Sequence, residues 1–151
     1  MPVNTGKVDP IPTYTVAIEI QGIEVARFME ASGFDSKTQI IDHRETDKDG
    51  KIYINKVIGT TTWSDITLKR GLSGENNLLW EWRQSVLDGD YEAARKDGSI
   101  TGYDPKGEIV VQYTFTRGWV STWKGGSFTA KTGNVNAEEI TITHEGLQRV
   151  K

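Results

Sequence analysis

Period-two alternation of apolar and polar residues, broken once, is what most limits the folds open to this chain. Tyr14, Val16, Ile18 and Ile20 alternate with Thr15, Ala17 and Glu19, and Ile66 and Leu68 with Asp65, Thr67 and Lys69. Further on, Ile109, Val111, Tyr113 and Phe115 alternate with Val110, Gln112, Thr114 and Thr116, and Ile140 and Ile142 with Glu139, Thr141 and Thr143. Successive side chains on a strand point to opposite faces, so each stretch reads as a half-buried strand. Gly22 turns the chain into "IEVARFM", and "GWVSTW" follows Gly118 as the expected hairpin partner of the strand before it. With "TQIIDHR" and "KIYINKVI", rich in β-branched residues, the count reaches seven or eight strands. The predicted class is mainly β: a single β-sandwich or barrel-like domain with one flanking helix.

The interruption is "SGENNLLWEWRQSVLDG". Ser73 suits an N-cap and Gly89 a C-terminal stop, which predicts a helix over about 75–88. Leu78, Leu79, Trp82 and Val86 recur at helical spacing and define a core face. Trp80 and Leu87 fall on nearly the opposite side, so either the helix has a second packing partner or Tyr91 and the chain beyond Gly89 fold back over Trp80. Three of the four prolines, Pro2, Pro10 and Pro12, lie in the first twelve residues. Residues 1–13 are therefore expected to form an extended arm ahead of a domain covering 14–151.

A chain of 151 residues suits one domain with a real core. Its 18 basic and 21 acidic residues are interspersed, with a net charge of −3, and form neither a nucleic-acid footprint nor a polybasic membrane patch. No cysteine is present, which rules out disulfides and thiolate chemistry. No apolar run approaches the roughly 18 residues of a membrane anchor, and "MPVNTGKVDPIP" does not read as a Sec-type signal.

Candidate chemistry is sparse. "ETDKDGKI" places Glu45, Asp47 and Asp49 at the first, third and fifth positions of an EF-hand loop, with Gly50 at the sixth. The twelfth position is Lys56, a cation where a bidentate carboxylate belongs, and the flanks read as strands. The stretch is better read as a polar hairpin tip turning at Asp49-Gly50, between strands spanning about 36–58. The two histidines have no companions at metal-ligand spacing. His144 continues the inward register of Ile140 and Ile142 and reads as a satisfied buried or half-buried residue; His43, among Asp42, Arg44 and Glu45, reads as solvated or paired. Glu138 and Glu139 point to opposite faces and make a poor acid–base pair. No nucleophile–base trio, P-loop or dinucleotide fingerprint stands out. No catalytic residue, metal or cofactor is expected. A monomeric carbohydrate-binding sandwich, stacking sugars on Trp119 and Trp123, is the alternative from residue chemistry alone.

Four stretches, "FMEASGF", "ITLKRG" (Ile66 to Gly71), the helical "LLWEW" and the terminal "ITITHEGL", resemble in order the tail-tube family of contractile injection machines, similar to the phage T4 tail tube. The resemblance spans roughly Tyr14 to Leu147, with "ITLKRG" and "HEGL" its most specific pieces. It departs at Ile58-Gly59, where the family often has Pro-Gly, and at Val120, where it often has Pro. The resemblance implies a structural protein, not an enzyme, whose subunits contribute strands to six-membered rings stacked into a hollow tube. Implied partners are other copies of the chain, an enclosing sheath, baseplate or spike and terminator proteins at the ends, and cargo in the lumen. Assembly is expected in the cytoplasm as part of a phage tail or tail-like particle. The charged tip (Arg44, Glu45, Asp47, Lys48, Asp49 and Lys51) is then expected at a subunit interface, and Trp80 and Leu87 on an outer stripe. Gln112, Thr114, Thr116, Glu139, Thr141 and Thr143 are expected to face the lumen.

Overall fold

The structure, a computed structural model, describes residues 15–20, 23–71, 78–126 and 137–151. The expected arm, Tyr14, the N-cap Ser73 and most of the Gly-rich connection before Ala137 lie outside the described residues. Within them the chain forms β1 (Thr15–Ile20), β2 (Ile23–Phe28), β3 (Glu30–Ser32), β4 (Ser36–Thr46), β5 (Ile52–Trp63), β6 (Ile66–Gly71), α1 (Leu78–Leu87), α2 (Tyr91–Ala94), β7 (Lys96–Tyr103), β8 (Ile109–Lys124), β9 (Ala137–Thr143) and β10 (Gly146–Arg149). Eight strands make one antiparallel sheet in the order β2-β1-β7-β8-β9-β6-β3, with β10 paired to β8, while β4 and β5 stand apart as a two-stranded ribbon. The main sheet curls until β2 approaches β6, enclosing a barrel-like core.

That core follows the alternation. Ile18, Ile20, Ile66, Leu68, Ile100, Phe115, Val120, Ile140 and Ile142 line it from the sheet, and Leu79 and Trp82 cover it from α1. The Trp82 indole stacks on Phe115, with centroids 6.4 Å apart, and donates to the Ala94 carbonyl at 2.6 Å. Arg83 ties α1 to the sheet by donating to the Val120 carbonyl at 2.9 Å. Leu78, expected on the core face, is instead exposed, because the inward direction runs through Leu79 and Trp82. Ala17 and Thr101 are fully buried on the polar face. They lie in one cross-strand row between Arg27 and Gln112, and the larger side chains at its ends shield the small ones.

One expectation is overturned at Gly118. The chain makes no hairpin there: β8 runs unbroken for 16 residues and changes partners, from β7 up to Gly118 to β9 from Trp119 onward. Arg117 takes a positive φ of 50°, its N–H donates to the Asp97 carboxylate at 2.8 Å, and the register slips against β7. This bulge inverts the inward parity, from Phe115 before it to Gly118 and Val120 after it. Glycine is required at 118, since a Cβ would lie 2.5 Å from the Phe115 ring.

The β4–β5 ribbon is longer than expected, ending at Trp63 rather than near residue 58. At its root Gly33 has a φ of 95°, Ser64 N–H donates to the Asp35 carbonyl at 3.0 Å, and His144 Nε2 lies 3.1 Å from the Ser64 carbonyl. His144 is buried, as its register implies, but only half satisfied: Nδ1 has no partner among the described residues.

Candidate functional site

Cross-strand register sorts the ribbon into two faces. Ile40 pairs Ile58, Asp42 pairs Lys56, Arg44 pairs Ile54, and Thr46 pairs Ile52, all on one face. Ile41 with Val57, His43 with Asn55, and Glu45 with Tyr53 occupy the other. The first face carries four exposed isoleucines, Ile58 at 84% exposure, on a ribbon that forms a sheet of its own and meets the rest of the described chain at its root, where Trp63 lies 6.1 Å from His144. An isolated two-stranded ribbon is marginal in water, so a long one with bare isoleucines is built to be covered.

The charges expected at the tip have separate duties. Asp47 Oδ1 accepts from the Asp49 and Lys51 N–H groups, both at 2.9 Å, and so shapes the turn. Gly50, with a φ of 81°, completes it. Glu45 sits on the second face, accepting from the Tyr53 hydroxyl at 2.5 Å and lying 3.6 Å from His43 Nε2. That hydrogen bond, with some desolvation, raises the Tyr53 hydroxyl above its ordinary value of 10. Lys48, Asp49 and Lys51 are exposed on the turn, and Arg44 alone shares the isoleucine face. With Asp47 bound into the turn and Glu45 committed to Tyr53, the calcium-loop positions do not converge. Calcium in the millimolar range is therefore expected to leave the melting temperature unchanged, whereas binding to the native state alone would raise it saturably. A thermal titration with calcium and magnesium checks this.

The polar stretches of β8 and β9 lie on the face of the sheet turned away from the core. Thr141 pairs with Thr67 and Thr122, Thr143 donates to Ser121 Oγ at 2.9 Å, and Gln112 donates to Thr101 Oγ1 at 3.2 Å. Thr114 reaches the Gln148 carbonyl, and Thr116 is exposed opposite Gly146. Glu139 is not an isolated carboxylate: Lys69 lies 3.9 Å from one oxygen and Lys124 3.7 Å from the other. Glu138, on the core side, is held by Arg70 at 2.8 Å.

On α1, Trp80 is not covered by Tyr91. It meets Trp123 edge-on, centroids 5.1 Å apart and planes at 77°, and stays 40% exposed. Gly89 ends α1, and Asp90 caps the short α2, which carries Tyr91 away. Leu87 and Tyr91 remain exposed. A sugar platform built from Trp119 and Trp123 loses Trp123 to this pairing, while Trp119 borders a cavity of about 350 Å³ with Val86, Tyr91, Ala94 and Arg95.

Two surfaces escaped sequence reasoning. The isoleucine face could have been found from "IYI" and Ile40, had the register been known. The other, a groove of about 470 Å³ lined by Val16, Met29, Ala31, Phe34, Val111 and Tyr113, draws on four strands and a loop and has no local signal.

Comparison with known proteins agrees with this geometry. The family of T4-like virus tail tube protein gp19 matches residues 12–148. No match was found among curated proteins. Among solved structures, the chain is similar to one in the sheath–tube complex of an extracellular contractile injection system, PVC, with 20% identity, a TM-score of 0.71, and coverage of 96% of this chain and 93% of that one. It is also similar to a chain in the tube-terminating cap of the anti-feeding prophage, with 23% identity, a TM-score of 0.69, and coverage of 95% and 92%. Hcp1 from Flavobacterium johnsoniae is a more distant likeness at 18% identity and a TM-score of 0.51, covering 90% and 94%. At these identities the structural likeness speaks for the fold, and the match over residues 12–148 speaks for the family. The chain belongs to the T4-like tail tube protein family and is a structural tube subunit of a contractile, phage-tail-like particle, not an enzyme.

Proposed function

We propose that this subunit closes into six-membered rings which stack into a hollow tube, enclosed by a sheath whose contraction drives the tube through a target membrane. The observation that carries the reading is the β4–β5 ribbon: 28 residues, 36–63, leave the barrel as a paired arm with almost every side chain exposed. At roughly 3.3 Å per residue, eleven residues of β4 reach about 35 Å, far enough to cross onto a neighbour. Other copies of the chain are the first partners. Sheath protein surrounds the tube, and baseplate, spike and terminator proteins close its ends. Assembly takes place in the cytoplasm.

The lumen is assigned to the polar face of β8 and β9. Gln112, Thr114, Thr116, Glu139, Thr141 and Thr143 offer hydroxyls, an amide and a lysine-flanked carboxylate, which give passing cargo little apolar surface to hold. Because α1 covers the core from the side opposite the β8–β9 polar face, this choice turns Trp80 and Leu87 outward, toward the sheath. Sizing and negative-stain microscopy of the purified protein test the assembly: rings and stacked tubes are expected, and a protein that stays monomeric at high concentration would overturn it.

The lumen assignment has its own test, in a chain free of cysteine. Thr114→Cys and Thr141→Cys are expected to react slowly with a bulky thiol reagent in end-capped tubes and readily with a small one. Rapid labelling by the bulky reagent would put that face outside.

A further inference from the structure

The ribbon and the groove are complementary surfaces of one chain, and no other part of the described residues covers either. The groove is apolar: Phe34 stacks on Tyr113 at 4.6 Å to form one wall, and Met29, 68% exposed, stands at the rim beside Glu30. The ribbon face offers Ile40, Ile52, Ile54 and Ile58, with Arg44 among them. Among the described residues neither Glu30 nor Arg44 has an ion-pair partner. Apolar surface thus faces apolar surface, and one unpaired acid matches one unpaired base.

The ribbon cannot fill its own groove. Phe34, in the groove wall, is two residues from Ser36, where β4 begins to run outward. The Arg44–Ile54 pair lies eight residues further along, roughly 26 Å away on an extended strand. A ribbon that fills this groove therefore belongs to a second copy.

Resting on the tube reading above, we infer that the isoleucine face of each ribbon seats in the Met29–Phe34–Tyr113 groove of a neighbouring subunit, with Arg44 of one copy meeting Glu30 of the other. The contact is carried by the ribbon's apolar flank, and the charged turn lies beyond it. Each subunit presents one donor and one acceptor, so the contact is head-to-tail and propagates from copy to copy. The charge pair sets register, because sliding the ribbon by two residues replaces Arg44 with Asp42 or Thr46 opposite Glu30.

Paired cysteines test this directly. The double variant Met29→Cys, Ile54→Cys, assembled and mildly oxidised, is expected to give a ladder of dimers, trimers and higher species on a non-reducing denaturing gel. Either single variant stays monomeric there. Arg44→Glu and Glu30→Arg are each expected to raise the concentration needed for assembly about tenfold, and the double reversal to restore it. Wild-type protein in parallel separates the outcomes: if it forms no rings or tubes, the tube reading fails and this inference falls with it. Wild-type tubes with no ladder from the double variant overturn the inference alone. So does a Met29→Cys thiol protected in tubes but unbridged to position 54, which assigns the groove to another segment. Failure of the double reversal to recover assembly removes the Arg44–Glu30 pairing.

Discussion

A subunit whose ribbon is cut back, with Asp42–Lys56 replaced by Asn-Gly, is expected to fold normally and to form no rings. The shortened ribbon keeps the native Ile41–Val57 pair beside a two-residue turn of the type hairpins favour. Nothing removed reaches the buried cluster, which is drawn from β1, β2, β6 to β9 and α1. The melting temperature should stay within a few degrees of wild type, since surface changes away from a core generally shift stability by about 0.5 kcal/mol or less. Assembly, in contrast, should be lost altogether, because the deleted segment carries Ile52, Ile54 and Arg44. Thermal unfolding by circular dichroism with sizing on the same sample measures both. Normal rings, or an unfolded monomer, would refute the separation of folding from assembly.

Gly33→Ala is expected to damage both at once. A Cβ at residue 33 would lie 2.0 Å from the Asp65 carbonyl oxygen, and its φ of 95° is one that alanine rarely adopts. The backbone on one side of the ribbon root must move, at a cost of about 3 kcal/mol or more. In a domain of this size that lowers the melting temperature by roughly 6–12 °C. Gly50→Ala is the control: it shares the positive φ, at 81°, but a Cβ there meets nothing within 4 Å. Its cost should be the conformational penalty alone, about 1–2 kcal/mol at most. Equal melting temperatures for the two variants would show that the close approach at Gly33 is relieved without strain.

The strands and their inward faces were legible in the sequence wherever alternation was clean, as in β1, β6 and β9. There, burial depends on nothing beyond the two-residue repeat. The reading failed at Arg117, because a positive φ on arginine is imposed from outside the strand, by the Asp97 carboxylate across the sheet. Gly118 looked like a turn, whereas its role is to make room for Phe115. For Trp80 the sequence left two readings open, a second packing partner for the helix or cover by Tyr91, because Trp123 lies 43 residues away and only the fold brings the two tryptophans together. The candidate interface shows the same limit. Its charges are contiguous and were visible. Its isoleucines come from two strands whose register depends on an irregularity between Thr38 and Ile40, and its groove is built from distant segments.

The root of the ribbon, where Gly33 nests against Asp65 and His144 touches Ser64, makes the molecule modular in inheritance as well as in shape. On the proposed contact, substitutions on the exposed faces of the ribbon or at the rim of the groove are expected to alter what a subunit recognises with little effect on its thermal tolerance, and substitutions in the buried core to do the reverse. Such a chain is free to drift in specificity: two lineages could diverge in the ribbon and its groove until their subunits no longer mix, each still folding identically. Transplanting residues 36–63 between such lineages, together with the facing groove, should carry copolymer preference with it and leave the recipient barrel intact.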